Sequence, residues 1–341
     1  LGMDLLRLAL ERAGTAAEAV EVITDLLERH GQGGNCAVHR EFRYDNGFAI
    51  ADPKEAWILE TCGRHWVVRR VEAPDAISNI ASTGSRFDSA SEGAFAQFRA
   101  HGWLAADDPD DFGRAVTDPD RTLASNGGGR CSRARELLQA LREPVTPADL
   151  MTILRDHGPD PSWRPDDLAR PSTLCMHAGG AQARLSQTTG AMISVLHPQQ
   201  ATHFLTGSAA PCTNLFRPAW VDALAEGFAP APTDTADADS LFWRHERRHR
   251  QALRDLPAAG SAIAAQRDAY ESAIVDAALA MQDAPASFRQ DFGASAFRLA
   301  EELLDQWSDT WAALPEQAGQ DADWRAEWAR VDARSGLANP D

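Results

Sequence analysis

Two histidines four residues apart, with a glutamate beside the first, stand at His245-Glu246-Arg247-Arg248-His249. On a helix this spacing puts both imidazoles on one face, where they can hold zinc while the glutamate serves as general base. Glu271 lies downstream as a conceivable third ligand. The neighbours oppose that chemistry. Arg244, Arg247, Arg248 and Arg250 would crowd positive charge against a dication, and the segment reads as an exposed basic face. His177, His197 and His203 are isolated in sequence, and His203 alternates within an expected strand as a structural side chain would. Cys36, Cys62, Cys131, Cys175 and Cys212 are scattered. An odd count without a Cys-x-x-Cys pair argues against a disulfide framework and against a cysteine-rich zinc site. No metal and no cofactor are therefore expected, and the thiols are expected to be reduced. Cys62 sits in a turn with His65 nearby, but no third group is in evidence to orient the pair. Asn126-Gly127-Gly128-Gly129 lacks the Lys-Ser/Thr of a phosphate loop and reads as a flexible turn.

The elements that would position these groups follow from periodicity. Leu5, Leu6, Leu8 and Leu10 recur at helical spacing over residues 3–13, with Arg7, Glu11 and Arg12 opposite. Thr15 with Glu18 is a capping-box signature for a second helix, which Gly31 ends. The period then shortens. Residues 48–51, 56–61 and 65–69 read as strands joined by Asp52-Pro53-Lys54-Glu55 and Cys62-Gly63-Arg64, and a fourth is expected over 75–79. Short turns imply antiparallel pairing. Helices are expected near 89–100 and 131–142, and another from Thr146-Pro147. Strands return over 188–196 and 202–207, separated by His197-Pro198-Gln199-Gln200. A Pro- and Ala-rich stretch at 228–238 reads as a linker, and nearly everything from there to about 333 reads as helix. Trp307/Trp311 and Trp324/Trp328 are i, i+4 pairs suited to helix packing.

A chain of 341 residues that is 44% hydrophobic can bury a large core. A net charge of -17 argues against nucleic acid or an anionic membrane as partner, because phosphate binding needs a basic surface. No apolar run reaches the length of a membrane span. A cytoplasmic location is expected. Neither nucleic acid nor membrane is expected as a partner, and homo-oligomerisation stays open.

Gly31-Gln32-Gly33-Gly34-Asn35, the run from Ala51 to Thr61 and Ala76-Ile77-Ser78-Asn79 occur in succession. Gln187-Thr188-Thr189-Gly190-Ala191-Met192, the run from His203 to Cys212, Leu215-Phe216-Arg217-Pro218 and the run from Leu241 to Arg247 follow in order. Together they resemble the secernin-like dipeptidase family, a branch of the N-terminal nucleophile hydrolases. The resemblance implies an α/β (α+β) fold: a four-layer αββα sandwich of antiparallel sheets, followed by a helical C-terminal region. In this order the hydrolase core would occupy 1–227, the linker 228–238 and the helical extension 239–341.

The resemblance also implies a cysteine-type peptidase that hydrolyses dipeptides or other small amides. The nucleophile of such enzymes is the first residue of the mature chain. Its thiol attacks the amide carbonyl while its own α-amine, with a pKa of about 8, serves as base. Residue 1 here is Leu, inside an amphipathic helical pattern, so the catalytic start is expected to be missing and the chain as given to be inactive. Within the rest of the site the family points to three residues. Asn79 stands where a side-chain amide donates to the oxyanion. Arg133, in Ser132-Arg133-Ala134-Arg135, stands where a cation faces the nucleophile, and Arg130 is the substitute for it. Two alternatives remain open: a non-catalytic secernin-like interaction protein, and a zinc peptidase acting through His245 and His249.

Overall fold

Thr15 opens α2 (Ala16–His30) as its N-cap, accepting from the Glu18 amide, and Gly31 closes it at φ 74°. The preceding helix, α1 (Gly2–Arg12), folds back on α2. Asp52, in the turn after β1 (Gly47–Ala51), accepts from the Ala16 amide at 2.8 Å and so ties the start of α2 to the sheet. The structure, a computed structural model, describes residues 2–37, 40–180, 184–225 and 230–337. Leu1, on which the expected loss of the nucleophile turns, lies outside the described residues, as do 226–229 at the start of the expected linker.

β1, β2 (Ala56–Cys62) and β3 (His65–Arg70) form an antiparallel meander, as their alternation and short turns predict. Its register stacks Phe48 beside Leu59 and Leu59 beside Val68. These three side chains point to one face and pack against Leu5 and Ala9 of α1 and Ile23 and Leu27 of α2. On the other face Val67 meets Phe95 and Phe98 of α3 (Ala94–Ala100) and Phe112 and Ala115 of α4 (Phe112–Val116).

The fourth strand differs from expectation. The outer edge of β3 is taken by β4 (Ser89–Ala90), with Val67 opposite Ala90. Residues 75–79 consequently form no strand, and only a single bridge joins Ser78 and Ile80. The expected turn at Asn126–Gly129 differs too. Asn126 alone turns, at φ 48°, between α5 (Pro119–Ser125) and α6 (Gly127–Ala140), and Gly127, Gly128 and Gly129 form the first turn of α6.

The chain forms two compact units, 1–140 and 141–341. The second opens with α7 (Pro147–Leu154), capped by a reciprocal Thr146–Asp149 box. β5 (Ala191–Val195), β6 (Thr202–Thr206) and β7 (Arg217–Ala219) make a second antiparallel sheet, with a 3-10 turn at Pro211–Thr213 between β6 and β7. Helices α8 (Leu241–Ala252), α9 (Leu256–Ala280), α10 (Ala286–Ala312) and α11 (Ala322–Ser335) complete it. One core joins Phe204 and Phe216 to Ile263 of α9 and Leu304, Trp307 and Trp311 of α10. The tryptophan pairs pack as expected, with the Trp307 and Trp311 indole N–H groups donating to Gln266 Oε1 and Ala259 O. The described part of the 228–238 stretch is tied down, because Ala236 N donates to Ser335 O at 2.7 Å. The class is mixed α and β with antiparallel sheets, as expected. Among the described residues no helix is long and apolar enough to cross a membrane.

Leu27 is fully buried whereas Leu10 is 77% exposed. Leu27→Ala should therefore cost about 2–5 kcal/mol. Leu10→Ala should stay within about 0.5 kcal/mol. Urea denaturation of the two variants beside the wild type checks both values.

Candidate functional site

The site in the first unit is built around a carboxylate placed inside a sheet. Glu60 on β2 is only 3% exposed. Its two oxygens accept from the Ser82 amide, the Ser82 hydroxyl and the Thr83 amide at 2.7–2.8 Å. Those bonds hold residues 82–83 against the strand. Upstream, the Ile77 side chain occupies space beside Gly47, 3.9 Å from where a Cβ would stand. The non-strand segment 75–83 is thus fixed at both ends with Asn79 between them.

Helix α6 fixes it from the other side. Positions 127, 131 and 135 share one helical face. Arg135 Nε donates to Asp75 Oδ1 at 2.6 Å and the Cys131 thiol to Ala76 O at 3.2 Å. Gly127 lies so close to the segment that a Cβ there would stand 2.9 Å from Asn79 O and 2.8 Å from Ile80 Cγ2. Glycine at this position is a packing requirement. One turn on, Arg130 Nη2 donates to Asn79 Oδ1, and its guanidinium also approaches Ser125 O. Burial pulls the Arg130 guanidinium below its usual range.

The three expected site residues are therefore not equivalent. Asn79 is exposed and engaged by Arg130. Arg133, rotated off the 127–131–135 face, pairs with Glu136 at 3.0 Å. Since Arg130 donates to Oδ1, the amide NH2 of Asn79 is left as the end that can donate. Sequence reasoning missed Glu60, whose signal was a carboxylate at a strand position where its alternation partners are apolar.

Asp75 carries the other charge contacts. Burial would raise its carboxyl. Hydrogen bonds from Arg69, the Ala76 amide and Arg135, with the charge of Arg69, outweigh that and hold it below the usual range. Cys62 and Cys131 are poor nucleophiles. Burial and the neighbouring Asp45 push the Cys62 thiol up to about 12, and burial raises Cys131. His65 is engaged by Ser91 and Gln97 at 2.9 and 2.7 Å.

The second unit overturns two expectations. Helix α8 is not an exposed basic face: His245, Glu246, Arg248 and His249 are all buried. Two of its arginines are doubly matched, Arg248 by Glu301 and Asp305 and Arg250 by Glu246 and Asp332, while Arg247 is exposed. Glu246 is thereby engaged, and burial drives His245 down to about 3. Among the described residues the side chains grouped closely enough to share a metal ion are instead His157, Cys175, His177 and Cys212. His177 is thus not isolated, and two of the widely spaced cysteines, Cys175 and Cys212, come together. The sequence signal was Cys175-Met176-His177, a pair one residue apart in a stretch without regular structure.

Gly127→Ala should separate α6 from residue 79 and lower stability by about 1–3 kcal/mol, read as a fall in Tm. Asp75 is ionised at neutral pH and its folded pKa is depressed. It therefore stabilises above the unfolded value of about 3.9, and that contribution is lost as pH falls through the lower folded value. Asp75→Asn should flatten the acid limb of a Tm–pH profile while lowering Tm at pH 7. Residues 2–90 match the model of peptidase family C69, a family that includes dipeptidases and secernin-like members; the match covers Asn79 and Glu60, bears out the resemblance of the sequence, and supports a cysteine-type peptidase function.

Proposed function

We propose that the protein is a dipeptidase of the cysteine N-terminal nucleophile type, and that residues 75–83 with α6 form the oxyanion side of its site. The observation that carries this is the Arg130–Asn79 pair. A thiol attack on the amide carbonyl converts it to a tetrahedral oxyanion, and a neutral, directional N–H donor stabilises that charge as it develops. Asn79 Nδ2 is such a donor, and Arg130 holds the amide in the orientation that presents it. The arginine also places a positive charge behind the donor, which favours a nearby anion. Collapse of the intermediate expels the amine, and water then releases the acyl group from sulfur.

We assign Asn79 and Arg130 to stabilising the oxyanion, not to the attack. Arg133, paired with Glu136 on α6, is assigned to the binding of a substrate carboxylate.

The test is hydrolysis of a dipeptide panel by protein made from its complete coding sequence. Asn79→Ala should lower kcat about 10²–10³-fold with little change in KM, and Arg130→Ala should lower it less. Absence of dipeptide hydrolysis in the wild type, or full activity in Asn79→Ala with an unchanged Tm, would reject the assignment.

A further inference from the structure

Between α7 and β5, from Arg155 to Gly190, the described residues contain no helix or strand. Loops of that length without structure of their own are uncommon inside a compact unit and call for a different fastening. Three side chains from this segment, His157, Cys175 and His177, meet Cys212 of the 3-10 turn, with all four donor atoms within 4.8 Å of one another. Cys175 and His177 are 0% and 2% exposed and Cys212 is 7% exposed, within or against the core that holds Trp163 and Met151.

The distances decide what this cluster is suited to. His157 Nε2 lies 3.1 Å from His177 Nε2, and the Cys175 and Cys212 sulfurs lie 3.5 and 3.4 Å from that same nitrogen. A neutral imidazole nitrogen carries one proton or one lone pair, so it can satisfy one of these three neighbours. Hydrogen bonding alone leaves the cluster oversubscribed. A single cation at its centre satisfies all four donors. Tetrahedral zinc with bonds of about 2.0–2.1 Å to nitrogen and about 2.3 Å to sulfur has N–N edges of about 3.3 Å and N–S edges of about 3.5 Å, close to the observed separations.

We propose that His157, Cys175, His177 and Cys212 form a structural zinc site. Four protein ligands close the coordination sphere, which makes the site a fastening and not a reaction centre. Two thiolates and two neutral imidazoles balance the dication, so the assembled site is neutral and suits its apolar setting. Zinc displaces the thiol protons of Cys175 and Cys212, which leave to solvent. The backbone is arranged in advance. The Cys175 amide donates to Asp156 O at 3.0 Å, beside His157, and Met176 exchanges hydrogen bonds with Thr188 at 2.9 and 3.0 Å. The His157 ring stacks on Trp163 with centroids 4.6 Å apart and planes 7° from parallel. Such outer contacts orient ligands toward a metal.

The experiment is metal analysis of the full chain, purified without chelator, by inductively coupled plasma mass spectrometry. The proposal expects about one zinc per chain, released when the thiols are modified by a mercurial, and a lower Tm after chelation. Cobalt in place of zinc should give the visible bands of a tetrahedral ion and a near-ultraviolet thiolate charge-transfer band. Cys212→Ser should lower zinc content about tenfold or more, and Cys36→Ser, at an exposed cysteine, should leave it unchanged. The wild-type measurements hold whether or not the Cys212 variant folds. Zinc-supplied wild type without stoichiometric metal, an octahedral cobalt spectrum, or a Cys175–Cys212 disulfide in freshly purified protein would each overturn the proposal.

Discussion

A buried carboxylate in mid-strand is costly unless its oxygens find donors, and Glu60 meets that condition by recruiting the backbone of Ser82 and Thr83. The candidate site depends on this one exchange. It turns a segment with no ladder of its own into a fixed part of the sheet surface. Against that surface α6 can dock through Gly127, and only with α6 docked does Arg130 reach Asn79. Removing the carboxylate would leave two amides without acceptors as well as a hole, so the local structure is cooperative well beyond the contacts of a single side chain.

The regular elements of the first unit were legible because their periodicity and their caps agree. Alternation located β1, β2 and β3 within a residue or two, and Thr15, Glu18 and Gly31 bounded α2. Residues 75–79 were misread as a strand because alternation says nothing about which edge is free, and β4 already occupies the edge of β3. Asn79 was pointed to by family likeness, whereas its contact with Arg130, and not Arg133, required the helical phase of α6, which starts four residues earlier than expected. The His157, Cys175, His177 and Cys212 cluster was invisible for a related reason. Its members come from a coil and a 3-10 turn, where no period connects sequence spacing to space.

Helix α8 shows the same limit for charge. Counted along the sequence its arginines look like a solvated face. In space three of them answer acids from α8 itself, α10 and α11: Arg244 and Arg248 share Glu301, and Arg250 bridges Glu246 and Asp332 while lying 4.0 Å over the Trp328 ring. Arg250 thus joins a fork of charge contacts to an aromatic face, which a lysine could not reproduce. The pairing also explains how a helix of such polar composition is embedded among buried neighbours.

Arg217 on β7 is buried beside α10, and its charge is matched by Glu301, 84 residues further along the chain. Arg155 waits longer, for Glu271, 116 residues downstream. A ribosome adding about 5–20 residues per second needs on the order of ten seconds to supply those partners. Without those partners, closing the β5–β6–β7 sheet over Phe204 and Phe216 would strand a buried charge. The helices that follow the sheet are thus counter-ions to it as much as cover.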